Sequence, residues 1–325
     1  AGGGSLAEVP LPHVEGRRPV AVMAFENQTA DPSLDWLREG LADMLITTLS
    51  SSKQLTVLSR GQLHLLLERA GHAKGAVVRL DEALDVARRS QADAVVMGSF
   101  ASIEGRVRVD VRVHDARDGR ILASQFLVVD SPEELLTRVD LLSRRLAADL
   151  GASTGREEPA KPLTETMTSD LAAYRDYSLA LERAQGFRNA EALELLERAV
   201  AADPEFAMAH ARIGYVYCMK WPYLEKARPH LEEAFQRSDR VTEKDRLLIV
   251  VWYAVANRDY SGAIQSLHRI VADYPLEVEA YATLARLLES ESRLEEAVEV
   301  ARQGLAVDPE AGDLYNLLGA GYRDL

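Results

Sequence analysis

With 325 residues, 47% of them hydrophobic and 27% charged, the chain is long enough for two cooperative units and has the makeup of folded rather than disordered protein. A formal charge of -13 repels phosphate backbones and sets non-specific nucleic-acid binding aside. The single cysteine, Cys218, excludes an internal disulfide framework and a multi-cysteine zinc site, and the longest apolar run, Leu247 to Ala256, is about half of what a membrane-spanning helix needs.

The acid excess is uneven: residues 1–150 carry a net charge of -3 and the remainder -10. Residues 1–16, with Gly2-Gly3-Gly4-Ser5, are expected to be a tail or linker, because no strand or lysine is present to turn those glycines into a phosphate loop. Arg17-Arg18-Pro19 then leads into Val20 to Phe25, a short apolar run that predicts a buried strand. Asn27 to Pro32 supply turn chemistry. Asn27-Gln28-Thr29 also matches a glycosylation acceptor, but the turn role is the simpler one. Leu34, Leu37, Leu41, Met44, Leu45 and Leu49 recur at helical spacing, and Leu55 to Leu58 follows as a second strand, parallel to the first because a helix separates them. Helices near Gly61 to Ala70 and Leu80 to Ser90 precede a third strand at Ala94 to Phe100.

An antiparallel meander closes this unit. Val107, Val109, Val111 and Val113 alternate with Arg108, Asp110, Arg112 and His114, the period-two pattern of a half-buried strand. Glu104-Gly105 and Asp118-Gly119 form its turns, Ile121 to Val129 pairs next, and Pro132 opens a last helix through Leu146. Arg108, Arg112 and His114 are read as a solvated face, since Asp110 interrupts any basic strip.

The runs Val20 to Asn27, Asp35 to Leu41, Leu55 to Arg60 and Ala92 to Phe100, with Val107 to Asp115, resemble the amino-terminal domain of TolB and its relatives, including FlgO-like proteins. That resemblance covers most of residues 19–150 and implies an α/β domain with a mixed sheet, placed at 17–150. TolB continues into a β-propeller and this chain into helices, so the resemblance implies none of TolB's partners.

Residues 151–164 hold turn formers and charge without apolar periodicity through Lys161 and are expected to be a linker. From 165 to 325 only helical patterns occur. Pro275 and Pro309 stand 34 residues apart, the tetratricopeptide period, with small residues at the helix-crossing positions Ala192, Ala227, Ala263 and Ala297. The segment resembles the tetratricopeptide family: about four hairpins, closed first at Pro204, plus the first helix of another. Pro204 and Pro275 are not two whole periods apart, so Ser238 to Glu243 is expected to bend the stack. The fold class expected for the chain is therefore an α/β mixed-sheet domain followed by an all-α repeat solenoid.

Such repeats leave a groove that binds peptides. The family's geometry points Tyr174, Tyr177, Tyr215, Leu248, Trp252, Arg286 and Glu289 into it, an aromatic surface without the Lys and Asn set of carboxyl-terminus clamps, so an internal apolar or amphipathic segment is the expected ligand. For Tyr215 and Trp252, packing between repeats is the competing role. No zincin, hydrolase or kinase signature occurs, no cofactor or metal is expected, and His210, His230 and His268 are assigned to packing. The function expected is a non-catalytic protein-binding sensor or scaffold. The alternative is the regulatory region of a bacterial serine/threonine kinase or adenylate cyclase, since the order of the two units resembles sensor regions of such proteins. A third reading, a small ligand at the strand ends of the α/β sheet, has no residues to locate it. The chain starts at Ala1 and stops at Leu325 inside a helical pattern, so both ends are expected to be cuts, with a possible anchor upstream. The expected compartment is the extracytoplasmic side of a bacterial membrane, with the cytoplasm as alternative. Oligomeric state is not read from the sequence.

Overall fold

The structure, a computed structural model, describes residues 16–324 apart from 30, 73–75, 153–160, 187, 222, 276 and 310. The tail at 1–15 and most of the expected linker lie outside the described residues. Strand β1 (Arg18–Val22) is followed by β2 (Glu26–Asn27), α1 (Leu37–Leu49), β3 (Leu55–Val57), α2 (Arg60–Arg69) and α3 (Leu80–Arg89). Strands β4 (Ala94–Ile103), β5 (Arg106–Asp115) and β6 (Ile121–Val129) then run into α4 (Leu135–Asp149).

The sheet has the order β3-β1-β4-β5-β6, parallel where helices intervene and antiparallel through the β4-β5-β6 meander, as the sequence leads one to expect. Val20, Ala21, Val22, Ala94, Val95 and Val96 are fully or almost fully buried, which is why β1 and β4 read as continuous apolar runs. β5 buries Val107, Val109, Val111 and Val113 and turns Arg108 toward water, where it makes a two-pronged contact with Asp110. His114 is buried and bonds to the Gly119 carbonyl through Nδ1 at 3.0 Å, so it leaves the solvated face that the alternation assigns it. Glu104 and Gly105 both have positive φ, the conformation a two-residue hairpin turn between twisted strands requires.

The sequence reading did not include β2, two residues that pair in parallel with Ser99 and Phe100 and carry the chain past Phe25. Asn27 then forms the expected turn: its Oδ1 accepts from the Thr29 amide at 2.8 Å and its Nδ2 donates to Asp35 at 2.6 Å.

A four-residue helix, α5 (Leu163–Thr166), leads into helix pairs α6 (Leu171–Gln185) with α7 (Asn189–Ala202), and α8 (Ala207–Tyr215) with α9 (Leu224–Gln236). The array continues with α10 (Glu243–Ala256) and α11 (Tyr260–Asp273), α12 (Val278–Ser290) and α13 (Leu294–Val307), and ends on α14 (Gly312–Asp324). Ala192, Ala227, Ala263 and Ala297 are all buried, so each second helix crosses its neighbour at a small residue. Gly214 serves the same purpose in α8, where an added Cβ would stand 2.3 Å from Leu231 Cγ. α8 continues into a π-helical turn, Val216–Lys220, which takes up extra length in the longer second repeat together with the turns before α10.

No residue of α1 is solvent-exposed. Leu37, Leu41, Met44, Leu45 and Leu49 are buried, and α1 contacts strands β1, β2 and β3 as well as α4 on one side and α5 and α6 on another. The buried hydrophobic residues of the α/β unit and of the repeats consequently form one continuous cluster.

Two outcomes follow from this packing. An added Cβ at Gly98 of β4 would lie 2.1 Å from the ring of buried Phe25, so Gly98→Ala should lower unfolding stability by about 1–3 kcal/mol, seen as a lower urea midpoint at unchanged slope. Limited proteolysis should cut first within 151–161, and the two fragments should still co-elute on gel filtration because α1 is covered by α6. Separate elution would show that the shared core does not hold the units together.

Candidate functional site: the inner face of the repeats

The first helix of each repeat, α6, α8, α10 and α12, contributes one stripe of a common wall. Residues three or four apart on a helix share a face, which groups Tyr174 with Tyr177, Arg212 with Tyr215, and Leu248 with Trp252. Side chains from successive stripes touch in sequence. The Tyr177 ring lies 4.9 Å from Phe206, its hydroxyl lies in the field of Arg212, and the Arg212 guanidinium stands 5.3 Å over the Trp252 ring. Trp252 packs on Tyr215 at 4.9 Å, and the Tyr215 hydroxyl donates to the Glu279 carboxylate. Lys220 sits 5.4 Å over Tyr215, Lys244 pairs with Glu277 at 2.9 Å, and Arg286 reaches toward Asp313 at 3.9 Å.

The seven residues singled out from the sequence thus fall in different settings. Tyr174, Tyr177 and Trp252 are 1%, 4% and 3% exposed, Tyr215, Leu248 and Glu289 are half-buried, and Arg286 is exposed. Tyr174 and Tyr177 face the α/β unit and each other, with rings 6.3 Å apart, whereas Tyr215 and Trp252 form one tilted pair in the middle of the wall. Burial pushes the Tyr177 hydroxyl up to about 12 and Tyr174 well above its usual value, so both remain neutral donors at physiological pH.

The sequence reading missed the charged members of this wall, Arg212, Lys244 and Glu279. Arg212 stands one turn before Tyr215, and that spacing is the signal that could have found it. Burial opposes the charge of Arg212, but the neighbouring Tyr177 and Glu279 outweigh it and hold the guanidinium protonated, although its Nε is buried without a hydrogen-bond acceptor. Glu279 reaches water by area yet is crowded by protein on several sides, as on a concave wall, and this crowding raises its carboxyl despite Arg212 and Arg286.

Against the first stripe lies a polar cluster from α1 and α2. Arg60, 8% exposed, pairs with Asp43 and lies 3.3 Å from Glu39, while His64 lies 3.6 Å from Glu39 on its other carboxylate oxygen. The α2 start that positions Arg60 is fixed by a capping box between Ser59 and Gln62. Desolvation pushes the Asp43 carboxyl up to about 6 even though Arg60 pulls it down, and Arg212 of the repeats contributes to the same field.

Elsewhere, His210 and His230 meet with Nδ1 atoms 3.1 Å apart, and His210 Nε2 donates to the Pro204 carbonyl at 3.1 Å. Among the described residues no group of three or more His, Cys, Asp or Glu side chains could hold a metal ion, and no helix is long and apolar enough to cross a membrane. A polar cavity of about 330 Å³ lies between α5 and the α7-α8 turn, lined by Thr164, Thr168, Asp203 and Arg240. It is not at the strand ends of the sheet.

Comparison with known proteins finds one family match in each part of the chain. Residues 5–108 match the family described as curli production assembly/transport component CsgG, and residues 254–320 match the tetratricopeptide repeat. The chain therefore carries a CsgG-like amino-terminal domain, of the same fold family as the TolB-like domain expected from the sequence, followed by tetratricopeptide repeats. A curated relative, "Putative adenylate cyclase 3" of Rhizobium meliloti (strain 1021), is 24% identical over 221 residues. The match covers 65% of this chain and 35% of the relative, so the chain spans about a third of that protein's length. Among solved structures, the LpoB carboxy-terminal domain from Salmonella enterica is 18% identical with a TM-score of 0.29, covering 37% of this chain and 88% of its own. YrrB, described as a TPR protein with an unusual peptide-binding site, is 22% identical with a TM-score of 0.32, covering 46% and 76%.

The perturbed Asp43 gives a pH signature. A carboxyl raised from 3.8 to about 6 on folding makes the folded state bind the extra proton, so its stabilising contribution is full below 3.8 and is lost as pH rises through about 6. Asp43→Asn removes the titration. The stability of wild type relative to this variant should fall between pH 4 and 7 by at most about 3 kcal/mol, measured by urea unfolding at each pH. A difference that stays flat or rises with pH would sink the assignment.

Proposed function

We propose that this chain is a non-catalytic protein-binding module whose repeat wall holds a peptide segment of a partner protein, and that it works as the regulatory region of a larger bacterial signalling protein. The observation that carries the first half is the wall itself. Tyr215, Leu248, Arg286 and Glu289 keep surface open beside the buried Trp252 and Tyr177, which gives an amphipathic segment both an apolar seat and charged ends to address. Supporting it, YrrB combines the same repeat type with a peptide-binding site.

The second half draws on the R. meliloti relative. This chain matches only part of that protein, as a regulatory region joined to a catalytic domain would. On this reading the purified chain turns over no nucleotide, and saturable ATP hydrolysis or cyclisation by contaminant-free protein would contradict it.

Binding and packing are separable at individual residues. Trp252 is held between Tyr215 and Arg212, so Trp252→Ala should cost about 3–5 kcal/mol of stability. Arg286 is exposed and only loosely paired, so Arg286→Ala should change stability by about 0.5 kcal/mol or less while reducing partner capture from extracts of the parent bacterium. Undiminished capture by a folded variant carrying Arg286→Ala and Tyr215→Ala together would remove this wall from the binding site.

A further inference from the structure

The first stripe of the wall is already covered, and what covers it is this chain's own α1-α2 face. Tyr174 and Tyr177 are inward-facing residues of the first repeat, yet they are buried, and α1 lies directly on α6 with Gly40 opposite Ser178. The two ends of the ten-residue α2 address distant parts of the array. At its start, Arg60 lies in the field of Tyr174 and Glu182 of α6; at its end, Arg69 forms an ion pair with Asp308, in the turn between α13 and α14. Both members of that second pair are about nine-tenths buried. Arg17 adds a tie to the Asp273 carbonyl at 3.3 Å, at the end of α11.

The contact is also incompletely satisfied. Arg60 is 8% exposed and its Nη2 has no hydrogen-bond acceptor, nor does Nε, although Nε lies near Glu39. Arg212 Nε, on the repeat side, is in the same condition. A permanent core seam would be apolar or fully paired, because buried donors left without acceptors carry the whole cost of their lost hydration. A seam that leaves such donors stranded is one that a better-matched ligand can open.

We infer that α1 and α2 occupy the repeat wall in cis, and that the external ligand is an amphipathic helix of the same chemistry as α2, leucines along one face and a basic residue near each end, which binds by displacing it. Leu63, Leu66 and Leu67 between Arg60 and Arg69 are the pattern the partner copies. Charge favours such a ligand: the part of the chain after residue 150 carries a net -10 of the total -13, and Asp308 is the acid that receives Arg69. Because the cis helix acts at an effective concentration of about millimolar, it weakens any competing helix until the dock is loosened. This rests on the groove reading above and assigns its regulation.

The test uses the full chain as wild type, as Arg69→Glu, and as the charge swap Arg69→Glu with Asp308→Arg. The probe is a fluorescein-labelled peptide of residues 59–72, followed by anisotropy, with hydrogen exchange of α6 read in parallel. Arg69→Glu sets two acids against each other, so it should speed exchange across α6 and bind the peptide at least tenfold more tightly than wild type. The charge swap should return both readouts toward wild type, which also shows that the first variant had not simply unfolded. Equal peptide affinity in all three proteins, or unchanged α6 exchange in Arg69→Glu, overturns the inference. If that happens while Arg286→Ala still loses its partner, the groove reading stands and cis occupancy falls. If the peptide discriminates as expected while Arg286→Ala keeps its partner, cis occupancy stands and the partner site lies elsewhere.

Discussion

The structure depends on one helix being covered on all sides. α1 packs its leucines against the sheet and α4, and the opposite side against α6, so the α/β unit and the repeats share a single core. Packing of this kind is stabilising only if the second covered side can be desolvated. That side is small or polar: Gly40, Asp43 and the contacts Asp43 makes with Arg60. Gly40 is set by the Trp36 ring, which leaves no room for a Cβ at 2.9 Å. Asp43 keeps its place because Arg60 neutralises it, and Arg60 in turn is bracketed by Glu39. Removing one member of such a buried set is strongly destabilising, because the others are left charged in a poor solvent.

The same economy of charge runs along the repeat wall. Arg212 is the hinge of the series, standing over Trp252 with Tyr177 and Glu279 in its field. Aromatic rings supply area at low entropic cost and also receive the guanidinium face, so the wall remains cohesive without being uniformly apolar. Its outer end, from Glu279 to Arg286 and Asp313, keeps charge exposed to water. A gradient from dry aromatic to wet ionic surface along one row of helices gives a bound segment a direction as well as a seat.

Much of this fold was legible in the sequence, and the reasons are local. β5 shows itself through strict alternation, β1 and β4 through uninterrupted apolar runs, and the repeat hairpins through their period and their crossing alanines. β2 was not legible because two residues carry no periodicity, and α5 because four residues make barely one turn. The seven residues expected in the groove came from the register of a known repeat, which gives direction but not cover; the burial of Tyr174 and Tyr177 depends on a helix more than 100 residues earlier in the chain. In α1 the leucines announce the side toward the sheet. The other side carries no hydrophobic period, since Gly40 and Asp43 do the packing there, and a pattern built from apolar residues cannot register it. Arg60 likewise reads as a surface residue until its acceptors are placed.

The position of α1 also bears on the order in which the molecule is made. Everything the helix needs on its sheet side is encoded by α4, which ends at Asp149, but its second cover begins with α5 at Leu163 and α6 at Leu171. The remaining ties, at Asp273 and Asp308, come later still. At ribosomal speeds of about 5–20 residues per second, the newborn α/β unit exists for several seconds with Gly40 and Asp43 facing water before α6 has been made. A polar, glycine-bearing flank suits that interval, because Gly40 and Asp43 offer little apolar surface while the repeats that cover them are still to come.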